Sequence, residues 1–192
     1  MNEIENIISE SIAVKQRLLA DKRLVETIFS IKELLVDTFR NGGKVLLCGN
    51  GGSASDAQHI AAELSGRFYI DRKPLYAEAL HCNTSYMTSV SNDYGYEMVF
   101  ARLIEAEAKE NDVVIGLSTS GNSANIVKAF EAAQAKKAKT IALVGENEGK
   151  MQKFADISIN VPSAVTPRIQ EAHILIGHII CELVEKELFG NE

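Results

Sequence analysis

Residues 44–64 read KVLLCGNGGSASDAQHIAAEL, and this stretch decides the fold. After Lys44, an unbroken apolar run, Val45–Cys48, leads into the glycine-rich Gly49–Gly52. A segment of helical character follows. Continuous rather than alternating apolar residues mark a strand buried on both faces, as in a parallel sheet. Gly49, Gly51 and Ala54 even satisfy the permissive dinucleotide fingerprint G-x-G-x-x-G/A. That reading also needs a carboxylate past the second strand to hold a ribose. The chain offers EALHCN there, with His81 and no carboxylate past the strand, so dinucleotide binding is disfavoured. What remains is the general use of such a junction. Glycines let backbone N–H groups approach a ligand, and a helix N-terminus favours anions. Ser55 and Gln58 have the spacing of a capping box for this helix.

The same alternation continues outward. Strands are expected at 44–48, 77–80, 112–118, 139–145 and 156–161. Helices are expected between them at 54–66, 84–90, 95–108, 123–136 and 148–154. Alternating strand and helix predicts an α/β fold with a doubly wound, five-stranded parallel sheet, its ligands beyond the carboxyl ends of the strands. A final helix is expected from Pro167 to Leu188, with Thr166 as N-cap and Pro167 at the first helical position. Before the sheet, isoleucines and leucines at helical spacing predict amphipathic helices over 3–20 and 22–40, the second stopped by Asn41-Gly42-Gly43. The organisation expected is one domain over 1–192, with 1–40 a helical extension packing on the sheet or on another subunit.

A formal net charge of -6 argues against broad binding to nucleic acid or an anionic membrane. No apolar stretch approaches the roughly 20 residues of a membrane span, and MNEIENIISE lacks the basic start of a signal peptide. Cys48, Cys82 and Cys181 are widely spaced and read as reduced thiols. A cytoplasmic protein is expected.

A second loop repeats the first. In GLSTSGNSANIV, residues 116–127, a buried strand ends in Ser118-Thr119-Ser120-Gly121-Asn122-Ser123 and a helix begins. Hydroxyls and free N–H groups at a helix start suit a phosphate bound without lysine or metal. A G-K-[ST] triplet is absent, so this is not a nucleoside-triphosphate loop.

His59 and Glu63, at i and i+4, share a helix face one turn past the first loop. They can form a surface ion pair, an acid–base pair with a carboxyl pKa raised by burial, or two ligands of a divalent metal. The last helix carries RIQEAHILIGH, residues 168–178. His173 and His178 point about 140° apart and are not expected to serve one site. A lone histidine such as His178 inside an apolar run is more often a core residue than a catalyst. Gln170 and His178 lie about 12 Å apart along the axis, so spacing alone does not make them ligands of one ion.

Taken together, CGNGGSASDAQHIAAELSGR, SNDYGYE, GLSTSGNSANIVKA and RIQEAHILIGH resemble the sugar isomerase (SIS) domain family over essentially the whole chain. Within it, the chain is similar to the bacterial isomerases that convert sedoheptulose 7-phosphate to D-glycero-D-manno-heptose 7-phosphate. The resemblance implies a flavodoxin-like three-layer sandwich, a homotetramer with sites between subunits, and one zinc per subunit. It implies substrate contacts from Asn50, Gly51, Gly52, Glu63, Asn92, Asp93, Ser118, Thr119, Ser120, Ser123 and Gln170. It implies a metal held by His59, Glu63, Gln170 and His178, and Glu63 with His178 as the acid–base pair. The family often has Asp where this chain has Pro167, which removes any role for that carboxylate. A non-enzymatic relative, the protein that associates with the replication initiator DnaA, resembles both loops but lacks acid and histidine at the Glu63 and His178 positions. SIS regulatory domains that sense a sugar phosphate are usually joined to another domain, and no DNA-binding segment is expected in this sequence.

Overall fold

The computed structural model describes residues 2–147 and 149–190. Two helices precede the sheet: α1, Glu3–Ala20, and α2, Lys22–Arg40. Asn2 caps α1 through a full capping box with Glu5, and Asp21 caps α2. At the end of α2, Gly42 takes φ 70°, and the N–H groups of Gly42 and Gly43 close on Phe39 and Thr38 carbonyls, as expected of that stop signal.

Five strands follow: β1 Val45–Gly49, β2 Ala77–Ala79, β3 Val113–Ser118, β4 Lys139–Val144 and β5 Ile157–Asn160. They pair in parallel in the order β2-β1-β3-β4-β5. The intervening helices are α3 Gly52–Ser65, α4 Thr84–Tyr94, α5 Val99–Glu107 and α6 Ala124–Ala135; α7, Thr166–Phe189, closes the chain. Strand residues alternate between two cores. Val45, Leu47, Ile115, Leu117 and Leu143 pack with α1, α2, α3 and α7. Leu46, Cys48, Val114, Ala142 and Val144 pack with α4, α5 and α6 on the other face. The result is the expected three-layer, doubly wound α/β sandwich.

Four local expectations change. The helix expected over 95–108 begins as a 3-10 turn, Tyr96–Met98, because Gly95 at φ 90° breaks the chain direction after α4. The helix expected over 148–154 is a 3-10 turn, Lys150–Phe154; Glu148 lies outside the described residues. Thr166 is not the N-cap of α7. Val165 takes that place, which moves Thr166 into the first helical position, and no side chain caps the helix. The Ser55–Gln58 capping box does not form, because Gly51 is the N-cap, four residues before Ser55, and both side chains fall inside α3. No helix among the described residues is long and apolar enough to cross a membrane.

Candidate active site at the switch point

β1 and β3 are neighbours whose following helices, α3 and α6, lie on opposite faces of the sheet. Their carboxyl ends therefore splay apart, which is where open α/β sheets bind ligands. An open cavity of about 270 Å³ lies here. One wall is Asn50, Gly51, Gly52 and Ser53; the other is Ser118, Thr119, Ser120 and Ser123; Thr166 and Gln170 of α7 close it. These are the two loops expected from the sequence, brought face to face.

Gly51 sits at φ 56°, a backbone region that a Cβ would strain, and this lets α3 start directly after the strand. No side chain caps α3 or α6; the N–H groups of Ser53, Ala54 and Ile126 close on the carbonyls of Asn50, Gly51 and Ser123, which leaves those of Gly52, Ala124 and Asn125 for a ligand. Across the cavity the Ser118 and Ser123 hydroxyls are 2.9 Å apart, and Asn122 N–H donates to Ser120 Oγ. The loops are tied together through Asn50 by two residues that sequence reasoning missed, Asn125 and Tyr96. Asn50 and Asn125 exchange amide hydrogen bonds of 3.0 and 2.8 Å, and Tyr96 Oη donates to Asn50 Oδ1 at 2.9 Å. Asn125 is buried. Its one sequence signal was an amide in an otherwise apolar first turn, Ala124–Val127. Asn92 and Asp93 are exposed on the last turn of α4, bonded to each other, and do not line this cavity.

From the cavity, α3 and α7 run side by side in the same direction. Gln170 Nε2 meets Ser53 Oγ at 3.5 Å, and Gly177 meets Ile60 at the same 117-residue offset. A Cβ on Gly177 would stand 2.5 Å from Ile60 Cδ1, so this glycine permits the close crossing. The crossing brings His178 to α3. His59 Nε2 lies 3.0 Å from Glu63 Oε1 and 3.4 Å from His178 Nε2, with the two rings edge to face. His178 is thus half-buried at the site and not a core residue; His173 takes the core role. It is fully buried, with Nε2 3.2 Å from Val144 O, and burial outweighs that bond to lower its pKa to about 4.

One ligand atom each of His59, Glu63 and His178 fall within 4.8 Å of one another. A ring nitrogen carries one proton or one lone pair, so His59 Nε2 cannot serve both neighbours as hydrogen-bond partners at once. A divalent cation would use all three lone pairs together. Two imidazoles and a carboxylate with an open position are a donor set of catalytic zinc sites, so the residues fit the metal. Gln170 stands about 12 Å up α7 from His178, with its amide against Ser53 rather than in this cluster. Asp56, one turn before His59, has its pKa raised by burial, partly offset by the His59 charge. Cys48, at the end of β1, is pushed up to about 12 by burial and stays a thiol.

The SIS domain model matches residues 9–145. Phosphoheptose isomerase of Clostridium acetobutylicum is 52% identical over 191 residues, covering 100% of this chain and 97% of that protein. Among solved structures, phosphoheptose isomerase of Neisseria gonorrhoeae superposes with a TM-score of 0.89 at 42% identity, covering 95% of this chain and 97% of that one. The phosphoheptose isomerase of Francisella tularensis gives 0.91 at 36% identity, covering 97% and 100%. Sequence, fold and the length matched agree, and the chain belongs to the SIS-domain family and, within it, to the phosphoheptose isomerases.

Proposed function

We propose that this chain converts sedoheptulose 7-phosphate to D-glycero-D-manno-heptose 7-phosphate, the first step toward nucleotide-activated heptose. One observation carries the reading: Glu63, the carboxylate a proton transfer needs, meets His59 and His178 beside a cavity built for an anion. Ser53 and His59 are about 9 Å apart along α3, a span comparable with an extended sugar phosphate. The phosphate end sits among Ser118, Thr119, Ser120 and Ser123 and the N–H groups at the starts of α3 and α6. Asn50, Gly51, Gly52 and Gln170 flank the chain of the sugar. Binding energy from the remote phosphate then holds the reacting carbons in place.

Glu63 takes a proton from one of C1 and C2 and returns it to the other through an enediol. His178 moves the proton on the oxygens, a role suited to an imidazole near neutral pH. A zinc held by His59, Glu63 and His178 would polarise the substrate carbonyl; the family resemblance implies Gln170 as a fourth ligand, which requires its amide to leave Ser53.

We further place the working enzyme in the cytoplasm as a homotetramer with sites between subunits, the whole of 1–192 acting as one SIS domain with 1–40 as its helical extension. Ile4, Ile7, Ile8, Ile12 and Leu19 of α1 and Phe29 of α2 are exposed, an apolar face that a neighbouring subunit would cover. Asn92 and Asp93, standing away from the chain's own cavity, fit a role across that boundary. Incubating the purified protein with sedoheptulose 7-phosphate, with zinc and after chelation, tests the reading; heptose 7-phosphate is expected. No conversion under either condition overturns it and leaves a non-enzymatic SIS protein, such as a binder of DnaA.

A further inference from the structure

We propose that the buried Arg72–Glu185 pair is a positioning device for Glu63 and His178, and this rests on the isomerase reading above. Neither residue touches the cavity. Their side chains are 1% and 2% exposed, and Arg72 Nε donates to Glu185 Oε2 at 2.9 Å. Burying an ion pair contributes little net stability, because desolvation offsets the attraction. Such a pair can instead specify geometry, and its partners here lead straight to the acid–base residues.

Arg72 grips the end of α3. Its Nη2 donates to the carbonyl of Glu63 itself at 3.1 Å, and Nη1 donates to the carbonyls of Leu64 and Gly66. The fixed fork of a guanidinium can hold several carbonyls at set angles, and a cation suits the negative end of a helix. Its face also lies over the Phe189 ring. Glu185 anchors the other helix. It sits two turns past His178 on α7, about 20° around the axis, so both project from one face. Its two oxygens also accept the N–H groups of Phe68, Tyr69 and Ile70 at 2.6–2.8 Å. This folds the 68–70 segment back over α7 and sets the Phe68 ring against His178, centroids 5.8 Å apart. Burial pushes the Glu185 carboxyl up, but those N–H groups and Arg72 outweigh it and hold it below the usual range. The pair thus fixes Glu63 through its own carbonyl, and His178 through the helix face and the Phe68 ring.

The test compares Glu185→Gln and Arg72→Lys with Asp112→Asn. Asp112 forms a similar buried pair with Lys44 at the opposite end of the sheet, also bonded to two backbone N–H groups. Steady-state kinetics on sedoheptulose 7-phosphate should show kcat down about 10- to 100-fold in the first two, as for removal of outer-shell partners, with KM within about twofold. Asp112→Asn should lose melting temperature and keep kcat. Cobalt(II) titration, read by its visible absorption, should show affinity weakened about 10- to 100-fold in Glu185→Gln and Arg72→Lys alone. Circular dichroism checks folding; should Glu185→Gln unfold, Arg72→Lys, which keeps the charge, decides the matter. Unchanged kcat and cobalt affinity, or losses matched by Asp112→Asn, overturn the proposal. An inactive wild type whose cobalt affinity still depends on Arg72 and Glu185 overturns the isomerase reading and leaves the positioning role standing.

Discussion

At Gly52 and Gln170 the α3–α7 pair meets the strand ends, and backbone N–H groups and hydroxyls line the cavity. At His59 and His178, two turns further along, ring nitrogens and a carboxylate converge instead. The first region is made by the chain's local path. Each wall is a few consecutive residues, and glycine at φ 56° with uncapped helix starts does most of the work. The second is made by two segments 119 residues apart in sequence, and exists only because the helices cross closely. Local regions tolerate loss of one contributor; a cluster with one carboxylate does not.

The largest expected effect follows from that difference. Glu63→Gln should lower kcat by about 10²- to 10⁴-fold, the usual worth of a general base, with little change in KM or melting temperature. Retained turnover would show that the two regions are not the binding and reacting ends of one site. Ser118→Ala or Ser123→Ala should act the other way. Loss of one hydrogen bond to a charged group, about 1.5–3 kcal/mol, should raise KM roughly 10- to 100-fold. A fall in kcat at constant KM would reverse the assignment.

Gly177→Ala probes the crossing itself. The added methyl meets Ile60, so α3 must move off α7. A stability loss of about 1–3 kcal/mol in urea melts is expected from such overpacking, with kcat reduced more than KM. Asn125→Ala sharpens the other half. It leaves Asn50 Nδ2 without its acceptor, while Tyr96 still donates to Oδ1, and should cost about 1–3 kcal/mol, raising KM rather than lowering kcat.

The smallest effect separates core from site by pH. His173 has its pKa lowered to about 4 in the fold, so the unfolded chain binds the proton first as pH falls below about 6.5. Its neutral form therefore stabilises fully above that value. Stability falls on acidification toward pH 4, by at most about 1.4 kcal/mol per unit. His81, lowered by burial, adds in the same direction. Glu185 and Glu171 have lowered pKa values, so their contribution is present above the unfolded carboxylate range and is lost only below it. Urea midpoints at pH 7.5 and 5.5 should differ in the wild type and differ less in His173→Gln.

Much of this was readable from short stretches. The three inner strands, β1, β3 and β4, lie where unbroken apolar runs end in Gly or Ser, because a parallel strand covered on both faces needs such a run; the edge strands β2 and β5 are interrupted by Glu78 and Ser158. Two of the errors fall at helix starts. Ser55–Gln58 and Thr166 have the composition of caps, but capping depends on where the backbone first turns helical, and Gly51 and Val165 decided that. The Asn50–Asn125 pair was unreadable for another reason: each amide is ordinary in its own loop, and only the sheet sets the loops opposite.

Sequence by itself thus determined the layers, the five parallel strands and the two glycine- and hydroxyl-rich loops at the strand ends, since each depends on residues near in the chain. Resemblance pointed to Glu63 and His178, but their meeting was decided by tertiary structure. The spacing within α7 sets His178 well away from Gln170, and nothing local aims it at His59. Two parallel helices, a glycine that lets them touch, and a buried ion pair at their ends provide that aim. Side chains on separate elements acquire a common geometry only once the elements have packed.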